Sequence, residues 1–328
     1  MKATSIAPAN IAFIKYWGKA NESARIPRHN SISMNLSDMH SLCTVEFAEN
    51  LSEDSIEFTN EEKVTEKEYQ RIVAVLDRLR DVSQKKLKAK VMTQNNFPKA
   101  TGIASSASGF AALSLAALTS LGITFNEKEL SVFARLASGT ACRSIPDGFV
   151  EWEAGTSSAD SFAHSIFPVD YWEIVDVIVI VTKKMKKISS TEGHSLAPTS
   201  PFYSKRMEIV PSKINQVKQA MTEKNFSAFG RIVEDDALNM HAICLTSIPP
   251  IIYWEPVTLQ IMKSIIRWRE NGEVESYFTI DAGPSVHVIC RKKDADILVQ
   301  KLVDINGVKQ VVINYPAVGA RIINNHLF

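Results

Sequence analysis

Residues 95–109 read Asn-Asn-Phe-Pro-Lys-Ala-Thr-Gly-Ile-Ala-Ser-Ser-Ala-Ser-Gly and lead into an apolar run that lasts to Leu121. No other stretch constrains the fold as tightly, because a polar loop passes through a small-residue turn into a helix that must be buried. Pro98 and Gly102 punctuate the loop, and Ser105 or Ser106 can cap the helix by accepting from a first-turn amide. Small side chains leave the amides of that turn open to an anion, as a phosphate cradle requires. The same residues equally suit a serine-capped buried helix with no ligand. Neither common nucleotide loop is present, since the stretch lacks both G-x-x-x-x-G-K-[ST] and G-x-G-x-x-G.

The flanking sequence supplies both kinds of element. An apolar strand is expected at 11–17, stopping at Gly18, followed by an extended pair at 31–36 and 42–48 and a short strand at 55–59. Ile72, Val73, Leu76 and Leu79 predict an amphipathic helix within 65–87 whose many charges form a solvated face. Leu87, Ala89 and Val91 then alternate as a strand that delivers the chain into the opening loop. Downstream, Asn126 with Glu129 reads as a capping box for a helix ending near Leu136. A second small-residue turn at 137–144 carries Arg143, and strands are expected at 149–152 and, by β-branched content, at 177–181.

The lysine-rich 183–187 and the polar turn 189–193 mark a shift in composition, which divides the chain into an expected first domain, 1–182, and a second, 183–328. Helices at 201–223, 226–243 and 256–270 precede strands at 277–280 and 286–289, with Asp281-Ala282-Gly283-Pro284 turning between them. A helix at 295–305 and a strand at 310–314 complete an α+β pattern.

Charge excludes some partners. In 328 residues, 37 lysines and arginines nearly balance 36 aspartates and glutamates, so no overall field favours nucleic acid or an anionic membrane surface. The four cysteines have no C-x-x-C spacing and read as reduced cytosolic thiols. With no signal-peptide pattern and no apolar run near 20 residues, a cytoplasmic protein is expected.

Four polar turns therefore stand out: Lys15/Tyr16/Lys19, 102–108, 138–143 and 189–193, with Asp281 as a fifth isolated element. Hydroxyls and helix amides suit phosphate oxygens, lysine and arginine neutralise them, and one carboxylate can hold or remove a hydroxyl proton in phosphoryl transfer. Each has a plainer reading as well. Asp281 before Gly-Pro suits an Asx-turn, Arg143 a surface cation, and 183–187 a solvated face. His29, His194, His241 and His287 lack metal-ligand spacing. Asp235, Asp236, Asn239, Met240 and His241 share one helix and need no site.

The run Ala7-Pro8-Ala9-Asn10-Ile11-Ala12-Phe13-Ile14-Lys15-Tyr16-Trp17-Gly18-Lys19 resembles the amino-terminal signature of the diphosphomevalonate decarboxylases, a family of the GHMP kinase superfamily. Residues 95–107 are similar to that family's ATP-phosphate loop, Ser138-Gly139-Thr140-Ala141-Cys142-Arg143-Ser144 to its substrate-binding turn, and Asp281-Ala282-Gly283-Pro284 to the segment with its catalytic aspartate. The resemblance implies a two-domain α+β GHMP kinase fold, with a left-handed βαβ crossover in the amino-terminal domain and a ferredoxin-like carboxy-terminal domain. It implies ATP-dependent phosphorylation of the 3-hydroxyl of (R)-mevalonate 5-diphosphate, then loss of phosphate and carbon dioxide to give isopentenyl diphosphate. Asp281 would accept the hydroxyl proton, and Arg143 would hold the substrate carboxylate. Tyr16, Lys19, Ser138, Gly139, Ser190 and Thr191 would grip the diphosphate. Gly102, Ile103, Ala104, Ser105, Ser106 and Ala107 would cradle ATP, with Mg2+ on Ser106 and with Lys186 and Lys187 closing over the nucleotide. Homodimers are usual in the family.

Some positions depart from the family pattern. Pro27-Arg28-His29-Asn30-Ser31-Ile32-Ser33 is partly similar to phosphomevalonate decarboxylases, which act on the 5-monophosphate, and His194 stands where methionine is common. That leaves decarboxylation of the 5-phosphate as one alternative and a non-catalytic metabolite-binding protein of the same fold as another.

Overall fold

The computed structural model describes residues 1–59, 64–97, 105–182 and 186–328. Strand β1 (Lys2–Ile14) leads through the small hairpin β2 (Lys19–Asn21) and β3 (Ile26–Pro27) into β4 (Ser31–Ala48), its antiparallel partner. The extended pair expected at 31–36 and 42–48 is this one strand. Its pairing with β1 jumps from Asn10↔Asn35 to Pro8↔His40, so Ser37-Asp38 sit in a bulge where the sequence suggests a break. Strand β5 (Ser55–Phe58), helix α1 (Glu66–Ser83) and strand β6 (Lys88–Asn95) form a βαβ unit, with β5 parallel to β6. Thr65 caps α1, and Glu68 returns the bond to complete a capping box.

Helix α2 (Ser105–Ser120) lies on β1 and β4, and Ser5 Oγ donates to its Ala112 carbonyl at 2.6 Å. Helix α3 (Glu127–Ala137) starts at the expected Asn126/Glu129 capping box. A 3₁₀ turn, Gly139–Ser144, then leads to β7 (Phe149–Trp152) and to β8 (Ala163–Phe167), a strand with no sequence expectation because its face is half polar.

The second sheet is antiparallel. Its strand β9 (Ile174–Ile180) is followed by α4 (Ser190–Leu196), α5 (Tyr203–Thr222), α6 (Phe226–Thr246) and α7 (Pro256–Glu270). Then come β10 (Ser276–Thr279), β11 (Val286–Arg291), α8 (Ala295–Val303) and β12 (Gln310–Asn314), giving the order β10-β11-β9-β12. The expected polar turn at 189–193 is instead the capped start of α4. Strand β9 precedes the composition shift at 183, and the chain returns to the first sheet through β13 (Arg321–Ile323), paired with β1. The two sheets thus exchange their ends rather than dividing the sequence at one point.

Three apolar layers hold these elements together. Helices α1–α3 cover one face of the first sheet, with Val45, Val91, Ala111, Ala116 and Leu130 buried between them. Phe13, Ile14, Met34 and Phe149 on the other face pack against Val210, Phe229 and Val233 of α5 and α6 and against Ile178 and Tyr277 of the second sheet. The Phe13 and Phe229 rings meet edge to face at 4.9 Å. Beyond, Val175, Val177 and Val179 turn the opposite side of β9 toward α7 and α8. Burial on both faces explains the apolar run 177–180 of β9, and the one charge in the strand, Asp176, is paired with His287 at 2.7 Å.

Candidate active site

The end of β1, the start of α2, the 3₁₀ turn, the start of α4 and the turn after β10 surround one cavity of about 290 Å³. Among the described residues it is lined by seven cationic side chains, Lys15, Lys19, Arg25, Lys67, Arg71, Arg143 and Lys186, and by one carboxylate, Asp281. Such an excess fits ligands carrying several negative charges, which would find most of their neutralisation in place.

Asp281 is not an Asx-turn residue. The turn is closed by backbone, from the Gly283 amide to the Asp281 carbonyl at 2.7 Å, and the carboxylate Oδ1 instead accepts from Lys15 Nζ at 2.6 Å. Lys15 Nζ also donates to the Ala12 carbonyl at 2.8 Å. Burial opposes the charge on Asp281, but Lys15, His287 and Arg143 outweigh it and hold its carboxyl below the ordinary value. Burial lowers the Lys15 ammonium in spite of its carboxylate partner. A charged carboxylate braced by a buried lysine is suited to take a proton from a hydroxyl brought beside it. Sequence reading placed Lys15 in a polar turn without linking it to Asp281, from which it is separated by 266 residues.

Arg143 is no surface cation, being 2% exposed. Its Nε donates to Asn10 Oδ1 at 3.1 Å and its Nη1 to Ser31 Oγ at 2.9 Å. Asn10 in turn donates to Ser144 Oγ at 2.8 Å and to the Thr140 carbonyl, so β1 fixes the whole 3₁₀ turn. Beside it, Tyr16 is wedged between Trp152 and His194, with ring centroids at 4.6 and 4.1 Å, and its buried hydroxyl has no partner. Burial pushes that phenol up, leaving a protonated donor at the cavity wall. An unpartnered buried hydroxyl is unfavourable unless a ligand completes it.

His194 accepts from the Gly18 amide through Nδ1 at 2.9 Å, and burial keeps it well below its ordinary pKa, which leaves a neutral ring with its proton on Nε2. Gly193 explains how α4 comes so close: a Cβ there would stand 2.6 Å from the Trp17 ring. The docking brings Ser190 and Thr191 to the cavity. Lys19 lines it too, paired with Glu22 at 2.5 Å. Ser138, next to Gly139, reaches Ser106 Oγ at 3.5 Å.

The remaining expected residues divide. Ser106 and Lys186 line the cavity, and Lys186 Nζ donates to the Ala282 carbonyl at 2.6 Å. Ala107 is fully buried inside α2, and Lys187 is exposed away from the cavity lining, so neither side chain meets it. Gly102, Ile103 and Ala104 lie outside the described residues, as does the Ser105 side chain. Lys67 and Arg71 carry no sequence signal because i,i+4 charges on α1 look like any solvated face, and Arg25 because it is a lone cation in the turn between β2 and β3. Arg71 is half covered by the Phe110 ring, 4.4 Å from its guanidinium, and burial lowers its pKa to about 10. His29 is 6% exposed, hydrogen-bonded to the Asn30 carbonyl, and not part of the lining.

Comparison with known proteins agrees along the whole chain. The model of the diphosphomevalonate decarboxylase-like N-terminal domain matches residues 7–163, and that of the mevalonate 5-diphosphate decarboxylase C-terminal domain matches residues 176–318. Diphosphomevalonate decarboxylase of Candida albicans is 36% identical over 310 residues, which cover 90% of this chain and 85% of that protein. Mevalonate diphosphate decarboxylase from Staphylococcus aureus superposes with a TM-score of 0.92 at 35% identity over 98% of each chain. A solved structure described as MDDEF in complex with MVAPP, AMPPCP and magnesium gives the same TM-score at 36% identity over 99% of each chain. The chain belongs to the diphosphomevalonate decarboxylase family.

Proposed function

We propose that this protein decarboxylates (R)-mevalonate 5-diphosphate at the expense of ATP, giving isopentenyl diphosphate, ADP, phosphate and carbon dioxide. The observation that carries the reading is Asp281, among the described residues the one carboxylate of the cavity lining, paired with Lys15 and ringed by cations. The substrate 3-hydroxyl oxygen attacks the γ-phosphorus while its proton passes to Asp281, and ADP leaves. The bond to the carboxylate then breaks, its electron pair forms the alkene, and the 3-phosphate departs. Arg143 steadies the carboxylate and the charge that develops on the departing phosphate. Tyr16, Lys19, Ser138, Gly139, Ser190 and Thr191 hold the 5-diphosphate, with the Tyr16 hydroxyl completed by a phosphate oxygen.

Ser106, at the start of α2, and Lys186 would hold the phosphates of ATP. The hydroxyl of Ser106 is a hard oxygen donor in the cavity, which fits Mg2+, an ion that takes few protein ligands and completes its shell with water and phosphate. When bound, the ion neutralises charge on the phosphates and orients the transferred group.

A 5-monophosphate substrate is disfavoured by the position of His29 outside the cavity, and a purely binding role by the Lys15–Asp281 pair, which a binding module does not need. The same reading makes the enzyme a cytoplasmic homodimer, supported by four unpaired, buried cysteines and by the exposed Phe202, Ile248 and Ile252. The test is a coupled assay with mass-spectrometric product detection, offering mevalonate, its 5-phosphate and its 5-diphosphate in parallel with Mg2+ and ATP. Isopentenyl diphosphate from the 5-diphosphate alone is expected; isopentenyl phosphate from the 5-phosphate would overturn the choice of substrate. A sedimentation mass equal to one chain would overturn the dimer.

A further inference from the structure

Behind the cavity, a second group of charges is built around the backbone of Lys15 rather than its side chain. Asp236, fully buried on α6, accepts from the Lys15 amide through Oδ2 at 2.7 Å. Arg206 on α5, 1% exposed, donates to the same carboxylate from Nη1 at 2.9 Å and from Nη2 at 3.2 Å. That Nη2 also donates to the Lys15 carbonyl at 3.0 Å, and Nη1 to Asn239 Oδ1 at 2.6 Å. Both polar groups of Lys15, which lie just beyond the end of β1, therefore terminate on one ion pair. Neither Asp236 nor Arg206 lines the cavity.

Stability alone is a poor reason for this arrangement. Two charges taken out of water recover little more than their desolvation, and a well-packed apolar pair often serves as well. What an apolar pair cannot do is hold an amide and a carbonyl at fixed positions. The planar fork of arginine can bond a carboxylate and a carbonyl together, which a lysine cannot. The residue so held is the one whose ammonium sits 2.6 Å from Asp281.

We propose that the Asp236–Arg206 pair is a positioning device for the phosphoryl-transfer step: it fixes the backbone of Lys15 so that the ammonium stays on Asp281 and keeps that carboxylate ionised and aimed. The inference rests on Asp281 being the proton acceptor. Asp281 is faced by Lys15, Arg143, Lys186, His241 and His287, so loosening Lys15 withdraws one of several charges that oppose its protonation. Around the ion pair itself stand Lys213, 3.7 Å from Asp236 and bound to Asp235, together with His29 and Tyr203. His29 and His241, lowered to about 4 by burial, are neutral above that pH and titrate alike in parent and variants, so the displacement is read as the difference from the parent profile.

The decisive measurement is the pH profile of kcat for Asp236→Asn and Arg206→Lys, with folding checked by circular dichroism. Asn keeps an acceptor for the Lys15 amide but loses the charge that seats the guanidinium, and Lys keeps the charge but not the fork. For each, kcat is expected to fall about 10- to 100-fold with both KM values within about twofold of the parent, and the acidic limb to move up by about one pH unit. A limb that stays in place, or a loss expressed in KM, would overturn the proposal. Should neither variant fold, hydrogen exchange of the unaltered protein decides: a Lys15 amide exchanging as slowly as the core of α6 supports the clamp, and exchange at the rate of an exposed loop overturns it. An active Asp281→Asn enzyme would overturn the acceptor reading and this inference with it. An inactive one beside an unmoved limb in the two variants would overturn the inference alone.

Discussion

The rim of the cavity and its floor hold their charges in opposite ways. At the rim, Lys19, Arg25, Lys67, Arg71 and Lys186 surround the space together with several hydroxyls, and an anion placed there meets many partners at once. At the floor, one carboxylate meets one ammonium, and that ammonium's backbone is tied to Asp236 and Arg206. A grip made of many weak contacts tolerates the loss of any one, whereas a single proton acceptor does not. Mutations along the two regions should separate into graded and all-or-none effects.

The largest expected effect is at the floor. Asp281→Asn should lower kcat on the order of 10³-fold while leaving nucleotide affinity, measured by calorimetry, within about threefold. Arg143→Gln joins the two regions, since the guanidinium is anchored by Asn10 and Ser31 but belongs to the wall. A loss of about 100-fold in kcat/KM is expected, and a loss below tenfold would move Arg143 to the graded group. Tyr16→Phe removes one unpartnered hydroxyl, so KM for the phosphorylated substrate should rise about 5- to 10-fold with kcat unchanged and with Tm no lower than the parent's. Asn126→Ala, far from both regions, should cost about 1 kcal/mol in urea unfolding through the lost cap of α3 and leave turnover untouched.

The two regions also differ in how far the sequence reveals them. The rim residues Tyr16, Lys19, Ser138, Gly139, Ser190 and Thr191 sit in short stretches where small and polar residues interrupt apolar runs, and those stretches do converge. Local signals served the fold in the same way, as in the Asn126/Glu129 capping box and the β-branched run of β9. The floor is a matter of long-range pairing. Nothing near Asp281 points to Lys15, and nothing near Asp236, one of several polar residues on an ordinary helix, points to the backbone of Lys15. The sequence suggests two extended segments, 31–36 and 42–48, where the structure has the single strand β4, because pairing to β1 carries the chain through a bulge. Lys67 and Arg71 escaped notice because a helix face turned toward a cavity and one turned toward solvent carry the same residues.

The apolar layer between the two sheets has a bearing on how the molecule comes apart. Phe13, Ile14, Met34 and Phe149 from the first sheet share one packed cluster with Val210, Phe229 and Tyr277 from the second half, and β13 closes back onto β1. Neither half can unfold without stripping the other of its cover. Although the chain has the length of two domains, it should therefore melt as one cooperative unit, with calorimetric and van't Hoff enthalpies equal.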